Sequence, residues 1–183
     1  MIAKPVCRRE TDMLTLKEQA EVCRNGLIIG LLTKQDVILW ADHMIETQDD
    51  TDYAVIETSL GPPDMAAQLF EVKGAASQRA VTEALLGLCA QALQQGRLSL
   101  REAADILGQL DHEPSCSRCS IQAEYTIAVK AELAHTAYNL ACGYRSSAER
   151  NDEFLAESEA ALADFLKQHI VYASALAWER ASS

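Results

Sequence analysis

The sequence is short of proline, aromatic side chains and positive charge. Four prolines and a 5% aromatic share in 183 residues leave few helix breakers and few of the side chains that favour strands, and no segment carries a convincing strand pattern. Ala, Leu, Glu and Gln, all good helix formers, fill the long stretches instead. Sixteen Lys and Arg stand against 27 Asp and Glu, a formal charge of −11. A chain so poor in cations has little with which to displace counterions from nucleic acid or to dock on an anionic membrane. The longest apolar run, around Leu27–Leu32, is far shorter than the roughly 20 residues a membrane-spanning helix needs.

Chemical signatures are equally sparse. The phosphate-cradling patterns G-x-x-x-x-G-K-[ST] and G-x-G-x-x-G, the nucleophile elbow G-x-S-x-G and the zinc-protease H-E-x-x-H do not occur. The opening MIAKPVCRRETD holds no apolar leader core. The expectation is therefore a cytoplasmic protein. Its six cysteines, Cys7, Cys23, Cys89, Cys116, Cys119 and Cys142, would stay mostly reduced and serve as small core residues.

What is present is helix punctuation. Thr15-Leu-Lys-Glu18, Thr33-Lys-Gln-Asp36 and Ser99-Leu-Arg-Glu102 each set a hydroxyl three residues ahead of an acid. The hydroxyl can accept from an orphan N–H of the first turn while the acid reaches back; Asp36 is one methylene shorter than Glu18 and Glu102. The spacing predicts helices over 16–29 and 34–47, with Gly30 as the left-handed stop between them. Val37, Trp40, Ala41, Met44 and Ile45 form a stripe that should be buried. Short helices follow over 53–59 and up to Phe70, the second opened by Pro63 or Asp64. Ser77 caps a helix to Gln95, Ser99 one to about Leu110, and two more are expected over 121–142 and 148–173.

The punctuation repeats. Sixty-six positions separate Cys23 from Cys89, Gly30 from Gly96, Leu32 from Leu98, Thr33 from Ser99 and Asp36 from Glu102. The fold expected is all-α: a single-domain multi-helix bundle over 1–183, with a duplicated helical hairpin at about 15–47 and 81–113 or convergence on the same punctuation. The ends, 1–12 and 175–183, are expected to fray.

Three candidate sites emerge. Residues 31–73 hold nine acidic side chains against two basic ones. Asp42, Asp49, Asp50 and Asp52 mark the most acidic locality, suited to a basic protein partner. It lacks the turn glycine that a calcium loop needs. His112, Cys116 and Cys119 form the second: a C-x-x-C can clamp zinc, with Cys89, His135 or Cys142 as a fourth ligand, or act in thiol redox chemistry, although a second C-x-x-C is missing. Glu132 and His135 make the third, half of a dimetal-carboxylate motif whose other half is absent; a hydrogen-bonded core histidine is the plainer reading of His135. No cofactor is otherwise called for.

Within Leu27–Leu60, a helix, Gly30-Leu31-Leu32-Thr33, a helix with Trp40-Ala41-Asp42, a polar loop and another helix follow in order. This arrangement resembles small all-helical bacterial proteins of uncharacterised or immunity type. The resemblance covers about a fifth of the chain. It implies an all-helical fold and, for acidic members, neutralisation of a toxin by binding it; no residue carries over as catalytic. The leading expectation is a helical protein-binding module, an immunity-type inhibitor of a basic partner. The alternatives are a metal-binding or thiol-redox protein using Cys116 and Cys119, and an enzyme with an unrecognised pocket. Self-association through the alanine-rich final helix is a further expectation.

Overall fold

The computed structural model describes residues 14–111 and 152–175. Those residues are all-α: α1 (Leu16–Ile28), α2 (Lys34–Thr47), α3 (Tyr53–Ser59), α4 (Met65–Phe70), α5 (Gln78–Gln94), α6 (Leu100–Asp111) and α7 (Asp152–His169), with a 3₁₀ segment at Ile170–Ala175 and no strand among them. The expected helix over 121–142, His112, Cys116, Cys119, Glu132 and His135 lie outside the described residues, as do most of both expected frayed ends.

All three hydroxyl–acid pairs close as capping boxes. The Thr15 N–H donates to Glu18 Oε2 at 2.8 Å, the Thr33 N–H to Asp36 Oδ2 at 2.9 Å and the Ser99 N–H to Glu102 Oε2 at 2.8 Å. In return the backbone N–H groups of Glu18, Asp36 and Glu102 donate to the hydroxyls at 3.3, 3.1 and 3.2 Å. The shorter Asp36 side chain thus closes the box as fully as its glutamate counterparts. Replacing Thr33 or Ser99 with alanine is expected to cost about 1 kcal/mol each, read as a lower urea midpoint. An unchanged midpoint would mean that solvent serves these helix ends equally well.

The stops repeat as faithfully as the starts. Gly30 (φ 75°) and Gly96 (φ 70°) both adopt the left-handed conformation. Around Gly30, the Gly30 N–H reaches Leu27 O at 3.2 Å and the Leu31 N–H reaches Gly26 O at 2.8 Å. Around Gly96, the Gly96 N–H reaches Leu93 O at 3.1 Å and the Arg97 N–H reaches Ala92 O at 2.9 Å. Each is a Schellman closure that satisfies the last carbonyls of its helix. Leu32 and Leu98 then donate to the same Gly26 and Ala92 carbonyls. The echo read from the sequence is therefore one helix–corner–helix geometry made twice, followed here through Asp111.

α5 is the hub. It packs against α1, α6, α7 and the 3₁₀ segment, while α4 bridges α1 to α3 and α3 lies on α2. Leu85, Leu86, Leu107, Leu166, Trp40, Val22 and Val37 are all fully buried in one continuous core. The α2 stripe is buried at Val37, Trp40, Ala41 and Met44, but Ile45 is 37% exposed. It lies at the margin of that stripe, where the short α3 does not cover it.

The helix expected through Ala173 tightens at Ile170 into the 3₁₀ segment. Its backbone passes directly over Gly87, where a Cβ would lie 2.4 Å from Ala173 N and 2.6 Å from Tyr172 C. No helix among the described residues is long and apolar enough to cross a membrane.

Candidate partner-binding face

Two short elements build this face. On α2, Leu39, Asp42 and Glu46 recur at helical spacing and are all exposed, opposite the buried Val37–Met44 stripe. On α3, Ala54, Val55 and Thr58 are buried, with the Thr58 hydroxyl returned to Ala54 O at 2.7 Å. The opposite side of that seven-residue helix carries Tyr53, Ile56 and Leu60 at i, i+3 and i+7, exposed by 70%, 39% and 75%. A helix that covers a core needs one apolar side; α3 has two. Leu39, Ile45, Tyr53, Ile56 and Leu60 are five of the eight large hydrophobic side chains that stand exposed among the described residues. Scattered singly such residues mean little; these five lie on or directly after two helices that pack together.

Acidic residues share these elements. Asp42 is exposed on α2, and Asp49 and Asp50 are exposed in the α2–α3 connection. Glu57 holds the Tyr53 phenol above its ordinary pKa, first by hydrogen bonding and then by its charge.

Asp52 differs from its neighbours. Its Oδ1 accepts from the Ala54 N–H at 2.9 Å and caps α3, while Oδ2 accepts from the Lys73 N–H at 3.2 Å, 21 residues away. Oδ1 thus fixes the start of α3, and Oδ2 joins the α2–α3 connection to the chain after α4. The Ala54 N–H chiefly holds this carboxyl below its ordinary pKa. Burial opposes that, and the Lys73 N–H and then the charges of Lys73 and Lys17 add to the lowering.

A lowered folded-state pKa means stability that is present above the unfolded value, about 3.9 for Asp, and lost as pH falls through the folded value. Asp52→Asn keeps a capping oxygen and cannot titrate. Its melting temperature should therefore fall less steeply than the parent's below about pH 4. Equal acid slopes would show that Asp52 does not contribute to acid unfolding.

The two cysteines among the described residues are core side chains. Cys23 and Cys89, the echo pair, are both buried. Burial, and secondarily the Asp36 charge, raises the Cys23 thiol well above its ordinary pKa, and burial pushes Cys89 up to about 12. Among the described residues no three His, Cys, Asp or Glu side chains gather as a metal site. No protein-family model, curated protein or solved structure matches this chain.

The apolar centre of the face escaped the sequence reading, which followed charge alone. Its signal was present in the spacing of Tyr53, Ile56 and Leu60 opposite Ala54, Val55 and Thr58. Recognising it required knowing which side of α3 met α2 and α4.

Proposed function

We propose that this protein is a cytoplasmic binding module whose α2–α3 face docks a basic protein partner, in the manner of an immunity-type inhibitor. The observation that carries this reading is the exposed Tyr53–Ile56–Leu60 stripe, with Asp42, Asp49, Asp50 and Glu57 on the same helices and their connection. Apolar side chains at the centre supply affinity once desolvated. The surrounding acids steer a positively charged partner into place and discriminate against an acidic one. Asp52 contributes by fixing the start of α3 rather than by offering a free charge.

The test is a photo-crosslinking residue placed at Ile56, used in the native host to name a partner, followed by titration of that purified partner. A Tyr53→Ser/Leu60→Ser variant should bind about 30-fold more weakly, as expected for loss of a central anchor. Its own unfolding free energy should stay within about 0.5 kcal/mol of the parent. Asp49→Lys/Asp50→Lys should slow association about tenfold or more at low salt, with little effect at high salt. A crosslink to a second copy, no crosslink at all, or a partner indifferent to both variants would overturn the reading.

A further inference from the structure

A second feature lies away from the α2–α3 face, where α1, α4 and α5 meet. Lys17 Nζ bridges Glu21 Oε1 at 2.9 Å and the Phe70 carbonyl at 2.8 Å. Arg24 Nε donates to Glu21 Oε2 at 2.8 Å. Both cations flank the Phe70 ring, at 5.2 Å for Lys17 and 5.7 Å for Arg24. Beside them is a cleft of about 150 Å³, lined by Glu21, Arg24, Asn25, Phe70, Gln78 and Val81 among others. That is room for a small organic group rather than a single water.

Its polar groups are incompletely used. Asn25 is only 3% exposed. Its Nδ2 donates to Glu21 O at 2.7 Å, yet its Oδ1 has no partner among the described residues. Buried side-chain oxygens are rarely left this way. The Arg24 side chain is 11% exposed and, among the described residues, hydrogen-bonds only through Nε, with its terminal N–H groups as further donors. The Gln78 amide also has no protein partner among the described residues. Lys17 and Arg24 share the Glu21 carboxylate, one on each oxygen.

We infer that the cleft binds a carboxylate whose α-carbon bears an N–H donor, the unit shared by a free amino acid and a peptide C-terminus. The terminal N–H groups of Arg24 match a carboxylate's two oxygens. The adjacent N–H of the ligand donates to Asn25 Oδ1, and Gln78 supplies one further bond of either sense. An apolar side chain on the ligand rests against Phe70 and Val81.

The experiment is an NMR titration of the ¹⁵N-labelled full chain with L-leucine, N-acetyl-L-leucine and L-leucinamide. It follows the Arg24 Nε–H and the Asn25 side-chain amide. At least one of the two carboxylates should shift both signals saturably, with a Kd of about 1 mM or tighter; leucinamide should not. Preference for the N-acetyl compound indicates a peptide C-terminus, and preference for leucine a free amino acid. Equal binding leaves the shared unit as the ligand.

Arg24→Gln should weaken binding about tenfold or more. Gln78→Leu, which breaks no ion pair, should weaken it less while leaving the circular dichroism spectrum unchanged. No saturable shift with any probe, or an equal response to leucinamide, overturns the inference.

Discussion

Replacing Trp40 with alanine is expected to cost about 3–5 kcal/mol, the range for emptying a large aromatic site in a core. Trp40 is completely buried, so nothing but rearranged neighbours can fill the space. The indole is also the end of a polar chain. Its Nε1–H donates to Gln19 Oε1 at 3.0 Å, and Gln19 Nε2 donates to Leu14 O at 2.9 Å. Gln19 is itself only 6% exposed. The chain ties α2 to α1 and to the residue before the Thr15 cap.

Trp40→Phe separates the two contributions. It keeps most of the volume but strands the Gln19 oxygen, which should cost about 1–3 kcal/mol from that group alone. Urea unfolding followed by circular dichroism is the measurement, since Trp178 remains as a second fluorophore. Gln19→Leu and the double variant complete a cycle whose coupling should be on the order of 1 kcal/mol or more. A Trp40→Phe protein as stable as the parent would show that the indole hydrogen bond is energetically idle.

Gly87→Ala carries the second large effect, and two opposing forces set its sign. Alanine in mid-helix is favoured over glycine by about 0.8–1.0 kcal/mol. Against this, the new methyl would sit 2.4 Å from Ala173 N and 2.6 Å from Tyr172 C. Both are backbone atoms, which cannot swing aside as the end of a long side chain can. Overpacking of this kind costs about 1–3 kcal/mol, so the net change should be a loss, and Gly87→Val should lose more.

The chain has an escape: the 3₁₀ segment can lift off α5. Gly87→Ala should then show faster proteolysis and faster amide exchange in residues 170–175 even where global stability changes little. A variant that melts higher than the parent, with that segment equally protected, would mean the two backbones have room to part.

These cases mark what local chemistry writes into a sequence. Thr33 with Asp36, Ser99 with Glu102, Gly30 and Gly96 act on atoms within a few residues, so spacing alone places the helix ends. Asp64 and Ser77 likewise announce α4 and α5, their side chains accepting from Ala67 N and Ala80 N. The role of Gly87 depends on a segment more than 80 residues later, and nothing in the residues beside it signals that crossing. Asp52 read as one of four similar acids. The α3 cap at Ala54 and the approach of the Lys73 N–H separate it from Asp49 and Asp50. Ile45 fits the α2 stripe by spacing and is nonetheless 37% exposed. The α1–α4–α5 cleft was likewise illegible, since Asn25 and Gln78 look like ordinary helix polar residues until their neighbours are known.

The repeated corners bear on the order of assembly. Each closes with bonds that span only a few residues, Gly26 to Leu32 in one and Ala92 to Leu98 in the other. Such low-separation closures are fast, and neither corner needs the other. The 3₁₀ segment, by contrast, reaches α5 only by closing a long loop, which is the slower and entropically dearer step. During synthesis, residues 170–175 also leave the ribosome after α5. The groove above Gly87 is therefore open to water on the nascent chain while both corners can already have formed.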